Sequence, residues 1–219
     1  MKDNLIIISA GKQGREIFGW ATQAILNGAP WRIKGFLDGR ANALDGFNYD
    51  LRILGNVDDY KIEEGDVFVG AIGDPKDKVA YYTPIQQRGG RFVNLIHPLA
   101  HVGHNVELGT GIVMAPFSCT TSDLRIGNFV TLLPFSNAAH DTVIGDYGQI
   151  CGHCGINGNV TLGEGVFLGS HACIVPGKKV GAWAYVCAGS IVVGDVPSGS
   201  RVLGNPARHM VSLEKPSNE

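Results

Sequence analysis

The sequence has few charged residues, and neither sign of charge dominates. Charged residues make up 17% of the 219 residues, below the usual proportion of about 25%. Eighteen lysines and arginines stand against 20 aspartates and glutamates, which gives a formal net charge of -2. This balance provides none of the excess positive charge that drives binding to a phosphate backbone. We therefore expect no nucleic-acid partner.

Long hydrophobic runs are also missing. The longest apolar run near the start of the chain, Leu5 to Ile8, is too short for a signal-peptide core or a membrane span. The five cysteines cannot all pair within one chain, and buried cysteine in a reducing compartment behaves mostly as a small apolar residue. These features predict a cytoplasmic protein without a membrane span.

Glycine, by contrast, is abundant. It accounts for 31 of the 219 residues, about twice its usual share of roughly 7%. Hydrophobic residues make up 44% of the sequence, which is enough to fill a core. A chain of this length forms one compact unit or two small ones. The composition predicts a folded protein with many tight turns and little solvated helix surface.

The first 96 residues alternate between strand and helix patterns. The predicted strands cover residues 5–9, 33–37, 67–72 and 91–96, and the predicted helices cover residues 14–27 and 76–87. Strands separated by helices form a parallel sheet. We therefore predict a small Rossmann-like α/β domain that binds its ligand beyond the carboxyl ends of the strands.

Two loops at these strand ends are candidate binding segments. The loop 10–14 follows the first strand and opens a helix, so its backbone amides can face an anion. Asp38 ends the second strand and can accept hydrogen bonds from sugar hydroxyls, and Gly73 and Asp74 follow the strand 67–72. Nothing nearby completes a dinucleotide fingerprint or a Walker loop. Both loops are therefore open to two interpretations, a binding site or ordinary turns.

After His97 the sequence becomes periodic. Starting at Val102, every sixth residue up to Val192 is aliphatic or Met at fourteen of sixteen positions, and glycine recurs every eighteen residues from Gly109 to Gly181. Two inward positions in each hexad fit a short strand and a corner, and three hexads make one turn with glycine at one corner. Internal repeats of this kind predict a triangular parallel β-solenoid.

The hexads, the late segment 204–208 (Gly-Asn-Pro-Ala-Arg) and the preceding α/β domain together resemble the hexapeptide-repeat acyltransferases. The resemblance is to the branch that acetylates sugar nucleotides and sialic-acid-type sugars, and it covers nearly the whole chain. It implies a nucleotide-sugar-binding domain over residues 1–96 and a left-handed β-helix with a C-terminal tail over residues 97–219. It also implies a homotrimer that binds acetyl-CoA between neighbouring solenoids and acetylates the amine of a nucleotide-linked amino sugar.

The segment 137–146 is similar to the family motif His-Asp/Glu-x-x-Ile-Gly, in which the histidine is the general base. The resemblance gives this role to His140 and the supporting role to Asp141. The chemistry agrees, because an amino sugar is mostly ammonium near neutral pH and must lose a proton before it attacks a thioester. Residues eighteen apart stack about 4.8 Å from each other on neighbouring turns, so His140 is predicted between Ser122 and Gly158. Relatives use the amide that matches Gly158 to stabilise the oxyanion.

The resemblance also implies the remaining binding residues. The column of Gly152, Ser170 and Ala188 is uniformly small, as a groove for a pantetheine arm requires. Gln149 stands where close relatives of the bacillosamine type have a second histidine, and it cannot shuttle a proton, so we predict a single-base mechanism. No metal is expected. The predicted acetyl-CoA-binding residues are Gly158, Ser170, Ala188, Asn205, Pro206 and Arg208, and the predicted substrate-binding residues are Gly11, Lys12, Gln13, Gly14, Asp38, Gly73 and Gln149.

Several alternatives remain open at this point. Acetylation of a sugar hydroxyl requires the same base, and a non-catalytic trimeric scaffold that binds a nucleotide sugar would keep the same fold. His153 and His171 share a column and could line the trimer interface or bind a metal, of which interface packing is favoured. The segment 151–154 (Cys-Gly-His-Cys) has the spacing of disulfide oxidoreductases, but it lies in phase within the repeat and not at a helix N-terminus.

Overall fold

The computed structural model describes residues 2–210, which form an N-terminal α/β unit and a parallel β-solenoid. Residues 211–219 of the predicted second domain lie outside the described residues. Within residues 2–210, neither helix is long and apolar enough to cross a membrane.

The N-terminal unit is built on a sheet of five parallel strands in the order β3-β2-β1-β4-β5. Its elements are β1 (Asp3–Ile8), α1 (Lys12–Leu26), β2 (Trp31–Leu37), β3 (Ile53–Gly55), β4 (Asp66–Gly70), α2 (Pro75–Gln87) and β5 (Arg91–Phe92). The central strands β1 and β4 are apolar and buried, as expected for parallel strands that are covered on both faces. The predicted parallel α/β sheet is confirmed, with β3 as an additional strand.

The strand predicted over residues 91–96 is two strands in the structure. Arg91–Phe92 pairs with β4, whereas β6 (Leu95–Ile96) pairs with β9 (Val113–Met114) of the solenoid. Asn94 causes the break, because its side chain accepts a hydrogen bond from Ile112 N–H and donates one to the Gly109 carbonyl. Solenoid pairing therefore begins before His97.

The solenoid has three sheets, which we name by their number of strands; all their pairings are parallel except that of the last two strands of the eight-stranded sheet, which is antiparallel. The six-stranded sheet contains β7 (His101–Val102), β10 (Cys119–Thr120), β13 (Asn137–Ala138), β16 (Gly155–Ile156), β19 (Cys173–Ile174) and β22 (Ile191–Val192). The five-stranded sheet contains β8 (Glu107–Leu108), β11 (Arg125–Ile126), β14 (Val143–Ile144), β17 (Thr161–Leu162) and β20 (Lys179–Val180). The eight-stranded sheet contains β6, β9, β12 (Thr131–Leu132), β15 (Gln149–Ile150), β18 (Phe167–Leu168), β21 (Tyr185–Val186), β23 (Arg201–Leu203) and β24 (Arg208–His209). The predicted parallel β-solenoid is confirmed.

The hexad residues form the core of the solenoid. Ile126, Ile144 and Leu162 are each at most 3% exposed and belong to one hydrophobic cluster that runs through the repeat. The glycine at one corner is required by the close approach of successive turns, because a Cβ built on Gly145 would stand 2.6 Å from the backbone nitrogen of Glu164. The eighteen-residue period in the sequence therefore reflects direct backbone contact between turns.

The α/β unit packs against the eight-stranded sheet. Leu95 and Val113 of that sheet share a hydrophobic cluster with β1 and α1. On the same side, the Phe129 ring lies 4.9 Å from the Phe92 ring and 5.4 Å from the Tyr82 ring, measured between centroids. In a three-sided solenoid, this arrangement leaves the corner between the other two sheets on the far side from the α/β unit.

Candidate active site

His140 and Asp141 lie in the corner that joins the six-stranded sheet to the five-stranded sheet, between β13 and β14. The His140 ring nitrogen Nδ1 lies 2.7 Å from Asp141 Oδ2, and the two side chains are 58% and 55% exposed. A carboxylate at Nδ1 favours the tautomer with its proton on that nitrogen. Nε2 is then left with a free lone pair that can accept a proton.

Gly158 lies one turn further along the same corner, as the eighteen-residue period predicts. The Asn159 N–H donates to the His140 carbonyl at 2.9 Å, which holds the two turns together. A Cβ built on Gly158 would stand 2.5 Å from Cε1 and 2.6 Å from Nε2 of His140. The glycine is buried, and within residues 2–210 its N–H donates no hydrogen bond. An imidazole and an unpaired amide are thus adjacent.

The small-residue column lies at a different corner. Ser170 and Ala188 are exposed where the eight-stranded sheet turns into the six-stranded sheet. The Gly204 N–H donates to Ser190 Oγ, and the Ile191 N–H donates to the Gly204 carbonyl, which brings the segment 204–208 to the end of this corner. The structure therefore brings together Ser170, Ala188, Asn205, Pro206 and Arg208, but separates them from His140 and Gly158 of the same chain by the six-stranded sheet.

A cleft of about 420 Å³ opens at the carboxyl ends of β1, β2 and β4, beside the start of α2. This is the edge at which the sequence predicts ligand binding. The cleft brings together the predicted residues Gly11, Lys12, Gln13, Asp38 and Gly73, and it is also lined by Arg40, Asn56, Asp77 and Tyr81.

Asp38 holds two walls of this cleft together. Its Oδ2 accepts hydrogen bonds from the Ala10 N–H and from the Arg40 guanidinium, both at 2.9 Å. Burial would raise the pKa of the Asp38 carboxyl, but the hydrogen bonds from Arg40 and Ala10 outweigh burial and lower it. Because its carboxylate is already engaged within the protein, Asp38 shapes the loop 10–14 and fixes the Arg40 charge at the cleft.

Two residues predicted to bind substrate do not line the cleft. Gly14 is buried within α1, and its Cα lies so close to the Ser9 carbonyl that a Cβ would not fit. Gln149 is 2% exposed in β15, and its Oε1 has no hydrogen-bond partner within residues 2–210. Gly14 allows α1 to approach β1, and Gln149 lies on the eight-stranded sheet, away from the His140 corner.

The cleft also contains residues that the sequence analysis missed. Asp77 and Tyr81 lie on the same face of α2 as Asp74, since spacings of three and four residues share one side of a helix. The spacing of Asp74, Asp77 and Tyr81 is visible in the sequence of the predicted helix and the residues just before it, so this shared face could have been predicted. The position of Arg40 depends on the turn after Asp38, for which the sequence gives no signal.

The redox and metal alternatives gain no support from the geometry. Burial raises the pKa of the Cys154 thiol to about 12 and also raises that of Cys151, so neither is an activated thiolate. The His153 and His171 rings stack with centroids 4.7 Å apart and planes inclined by 2°. Among residues 2–210, no group of three His, Cys, Asp or Glu side chains is placed to hold a metal ion.

Comparison with known proteins supports the acetyltransferase architecture. No family model matches the chain. The structure is similar to the acetyltransferase domain of PglB from Neisseria gonorrhoeae FA1090, with a TM-score of 0.87 and 24% identity over 95% of this chain and 100% of that one. It is also similar to PerB from Caulobacter crescentus in complex with CoA and GDP-perosamine, with a TM-score of 0.79 and 25% identity over 95% of this chain and 97% of that one.

The sequence comparison identifies the same class. The chain is 36% identical to serine acetyltransferase 2 of Arabidopsis thaliana over 125 residues, which are 55% of this chain and 33% of that protein. The chain spans about a third of the length of the curated relatives it matches. The predicted resemblance to the hexapeptide-repeat acyltransferases, and to their sugar-acetylating branch, is confirmed by these comparisons.

Proposed function

We propose that this protein transfers an acetyl group from acetyl-CoA to the amine of a nucleotide-linked amino sugar. The observation that carries the proposal is the contact between the exposed His140–Asp141 pair and Gly158, whose N–H is unpaired, on a solenoid of the acetyltransferase type. PerB, which has the same fold, was crystallised with CoA and GDP-perosamine.

His140 is suited to remove the proton that blocks the sugar amine. Nε2 accepts that proton, and the Asp141 carboxylate at 2.7 Å from Nδ1 stabilises the imidazolium that results. Acetyl-CoA, when bound, supplies the acetyl group as a thioester: the amine nitrogen forms a bond to the carbonyl carbon, the C–S bond breaks, and the departing CoA thiolate takes up the proton held on Nε2. The Gly158 N–H offers a hydrogen bond to the carbonyl oxygen as negative charge develops on it.

The cleft of the α/β unit is suited to a nucleotide diphosphate. The loop 10–14 leads into α1, which begins at Lys12, so backbone N–H groups and the helix dipole favour an anion there. Lys12 adds positive charge, and Arg40, whose Nε and Nη2 donate to Asp38, has Nη1 left within residues 2–210 for one phosphate oxygen, against the carboxylates of Asp74 and Asp77 in the same cleft. We propose that the nucleotide is held in this cleft and that its sugar extends towards a His140.

That His140 belongs to a neighbouring copy of the chain. In one chain the cleft lies on the side of the eight-stranded sheet, whereas His140 lies at the opposite corner. The small-residue corner with Ser170 and Ala188 is a second corner, where the eight-stranded sheet meets the six-stranded sheet. We therefore propose a cytoplasmic homotrimer in which the His140 corner of one copy meets the small-residue corner and the cleft of another.

The test is incubation of the protein with acetyl-CoA and a panel of UDP-, GDP- and dTDP-linked amino sugars, followed by mass measurement of the products. We expect one acetyl group on one class of sugar, in a linkage that survives hydroxylamine as an amide does. A product that hydroxylamine cleaves would mean transfer to a hydroxyl. Nucleotide binding without any acetylated product would identify a non-catalytic scaffold and contradict the proposal.

A further inference from the structure

Lys78 of α2 is completely buried between the α/β unit and the solenoid. Its Nζ donates hydrogen bonds to the Phe129 carbonyl at 3.1 Å, to Thr131 Oγ1 at 3.0 Å and to the Gly148 carbonyl at 2.9 Å. The side chain is 0% exposed. All three acceptors belong to the solenoid, and Lys78 is the donor in each contact, so one amine joins the two units.

The three acceptors suit a buried amine. An ammonium has three N–H donors, and burial without partners would be strongly unfavourable. The Thr131 hydroxyl can accept from an ammonium or donate to a neutral amine, so the contacts are satisfied in both protonation states. A buried Met or Leu could fill a similar volume, and Tyr82 of α2 also packs on Phe129, but the bonds of Lys78 to fixed carbonyls add a directional constraint on the helix.

The adjacent face of the same helix, about 100° around the axis from Lys78, forms a wall of the nucleotide cleft. Asp77 and Tyr81 face the cleft, and the N-cap residue Asp74 does the same. Lys78 and Tyr82 lie on the buried face. The Tyr82 hydroxyl accepts a hydrogen bond at 3.1 Å from Ile72 N–H, in the loop that leads from β4 to α2. The cleft wall is thus attached to the solenoid through the buried face of α2.

We propose that Lys78 is a positioning residue, whose bonds to Phe129, Thr131 and Gly148 fix α2 on the solenoid and so hold the cleft in the geometry that binds the nucleotide. The effect of Lys78 on nucleotide binding rests on the proposed function, whereas its role in fixing α2 on the solenoid does not. The two effects are therefore measured separately.

The first measurement is amide hydrogen exchange over residues 72–82 in the full-length protein. Lys78→Met keeps an unbranched side chain and removes all three bonds, Thr131→Val removes one, and Lys61→Met makes the same change at an exposed lysine of the same unit. We expect exchange about tenfold faster in Lys78→Met, an intermediate increase in Thr131→Val, and none in Lys61→Met. Unchanged exchange over residues 72–82 in both Lys78→Met and Thr131→Val would overturn the proposal. If Lys78→Met does not fold, the exchange rates over residues 72–82 in Thr131→Val decide the test.

The second measurement separates positioning from general stability. With UDP, GDP and dTDP as probes in calorimetry, we expect the Kd of the bound nucleotide to rise roughly three- to tenfold in Lys78→Met. The KM for acetyl-CoA should not change. Faster exchange with unchanged nucleotide affinity would overturn the positioning role and leave Lys78 a purely structural residue. If the wild-type protein binds none of the probes, the proposed function fails, while the exchange data still decide whether Lys78 fixes α2.

Discussion

The imidazole of His140 occupies the space that a Cβ on Gly158 would fill. The two residues are eighteen positions apart and lie on adjacent turns of one corner, and a built Cβ would stand 2.5 Å from the ring. Glycine at this position therefore does two things: it leaves room for the ring, and it keeps an unpaired N–H next to it. Both consequences can be tested.

Replacement of Gly158 by alanine should displace the His140 ring without unfolding the solenoid. We expect kcat to fall on the order of 100-fold, because a shift of about 1 Å in a catalytic group has that effect. Gly155→Ala is the matched control, since a Cβ there meets nothing closer than 3.8 Å. Kinetic assays of both variants, with the His140 ring signals followed by NMR, would check the prediction. Equal kcat in the two variants would contradict it.

The Asp141 carboxylate should support His140 through its contact with Nδ1. In Asp141→Asn we expect kcat to fall about 10- to 100-fold, less than the roughly 10⁴-fold loss seen when a buried carboxylate of a catalytic triad is replaced. The smaller effect follows from exposure, since Asp141 is 55% exposed and water can partly replace it. Steady-state kinetics would measure the change, and an unaltered kcat would show that the carboxylate does not act on the ring.

The sequence was sufficient to predict which residues stack on one corner, but not which corner lies against the α/β unit. His140 and Gly158 are neighbours because a parallel solenoid pairs residues eighteen apart, and that period is visible in the glycines. Ser170 lies 30 residues after His140, which is not a multiple of eighteen, so the same period already puts it at a different corner. Which corner lies away from the α/β unit depends on contacts such as those of Phe129 with Phe92 and Tyr82, which the repeat does not show. The burial of Gln149 could not be predicted either, since the repeat does not show that the α/β unit packs on the eight-stranded sheet; the neighbouring Gly148 carbonyl accepts a hydrogen bond from Lys78 of α2, 70 residues away.

If the site is shared between copies, two inactive variants should restore activity together. His140→Ala removes the base, and Arg40→Glu places a negative charge at the cleft, while each variant retains the other half of the site. We expect chains that are mixed, dissociated and reassembled to have activity well above the sum of the two separate variants. Activity no greater than that sum would mean that each chain holds a complete site.

Burial of Lys78 should make the stability of the protein depend on pH in the alkaline range. Desolvation lowers the pKa of Lys78 from 10.5 to about 7, against opposing effects of Cys151 and Asp74. Between these two values the unfolded chain binds a proton that the folded chain has released, so the free energy of unfolding rises with pH. The slope from this lysine is at most about 1.4 kcal/mol per pH unit, and it vanishes below pH 7.

Denaturant unfolding at about pH 7 and about pH 9 would test this linkage. From about pH 7 to about pH 9, the free energy of unfolding should rise more in the wild-type protein than in Lys78→Met, because the methionine has no proton to release. Lys61→Met should behave as the wild type does, because Lys61 is exposed. An identical pH dependence in the wild type and in Lys78→Met would contradict the prediction.

The rate of acetyl transfer in His140→Ala tests the account most directly. His104→Ala is the matched control, because His104 is an exposed histidine in the same column, two turns away. With the amino sugar identified from the panel, we predict that His140→Ala lowers kcat roughly 10²- to 10⁴-fold with nearly unchanged affinity for CoA, while His104→Ala leaves both unchanged. Undiminished turnover in His140→Ala would contradict the proposed role of His140 as the general base.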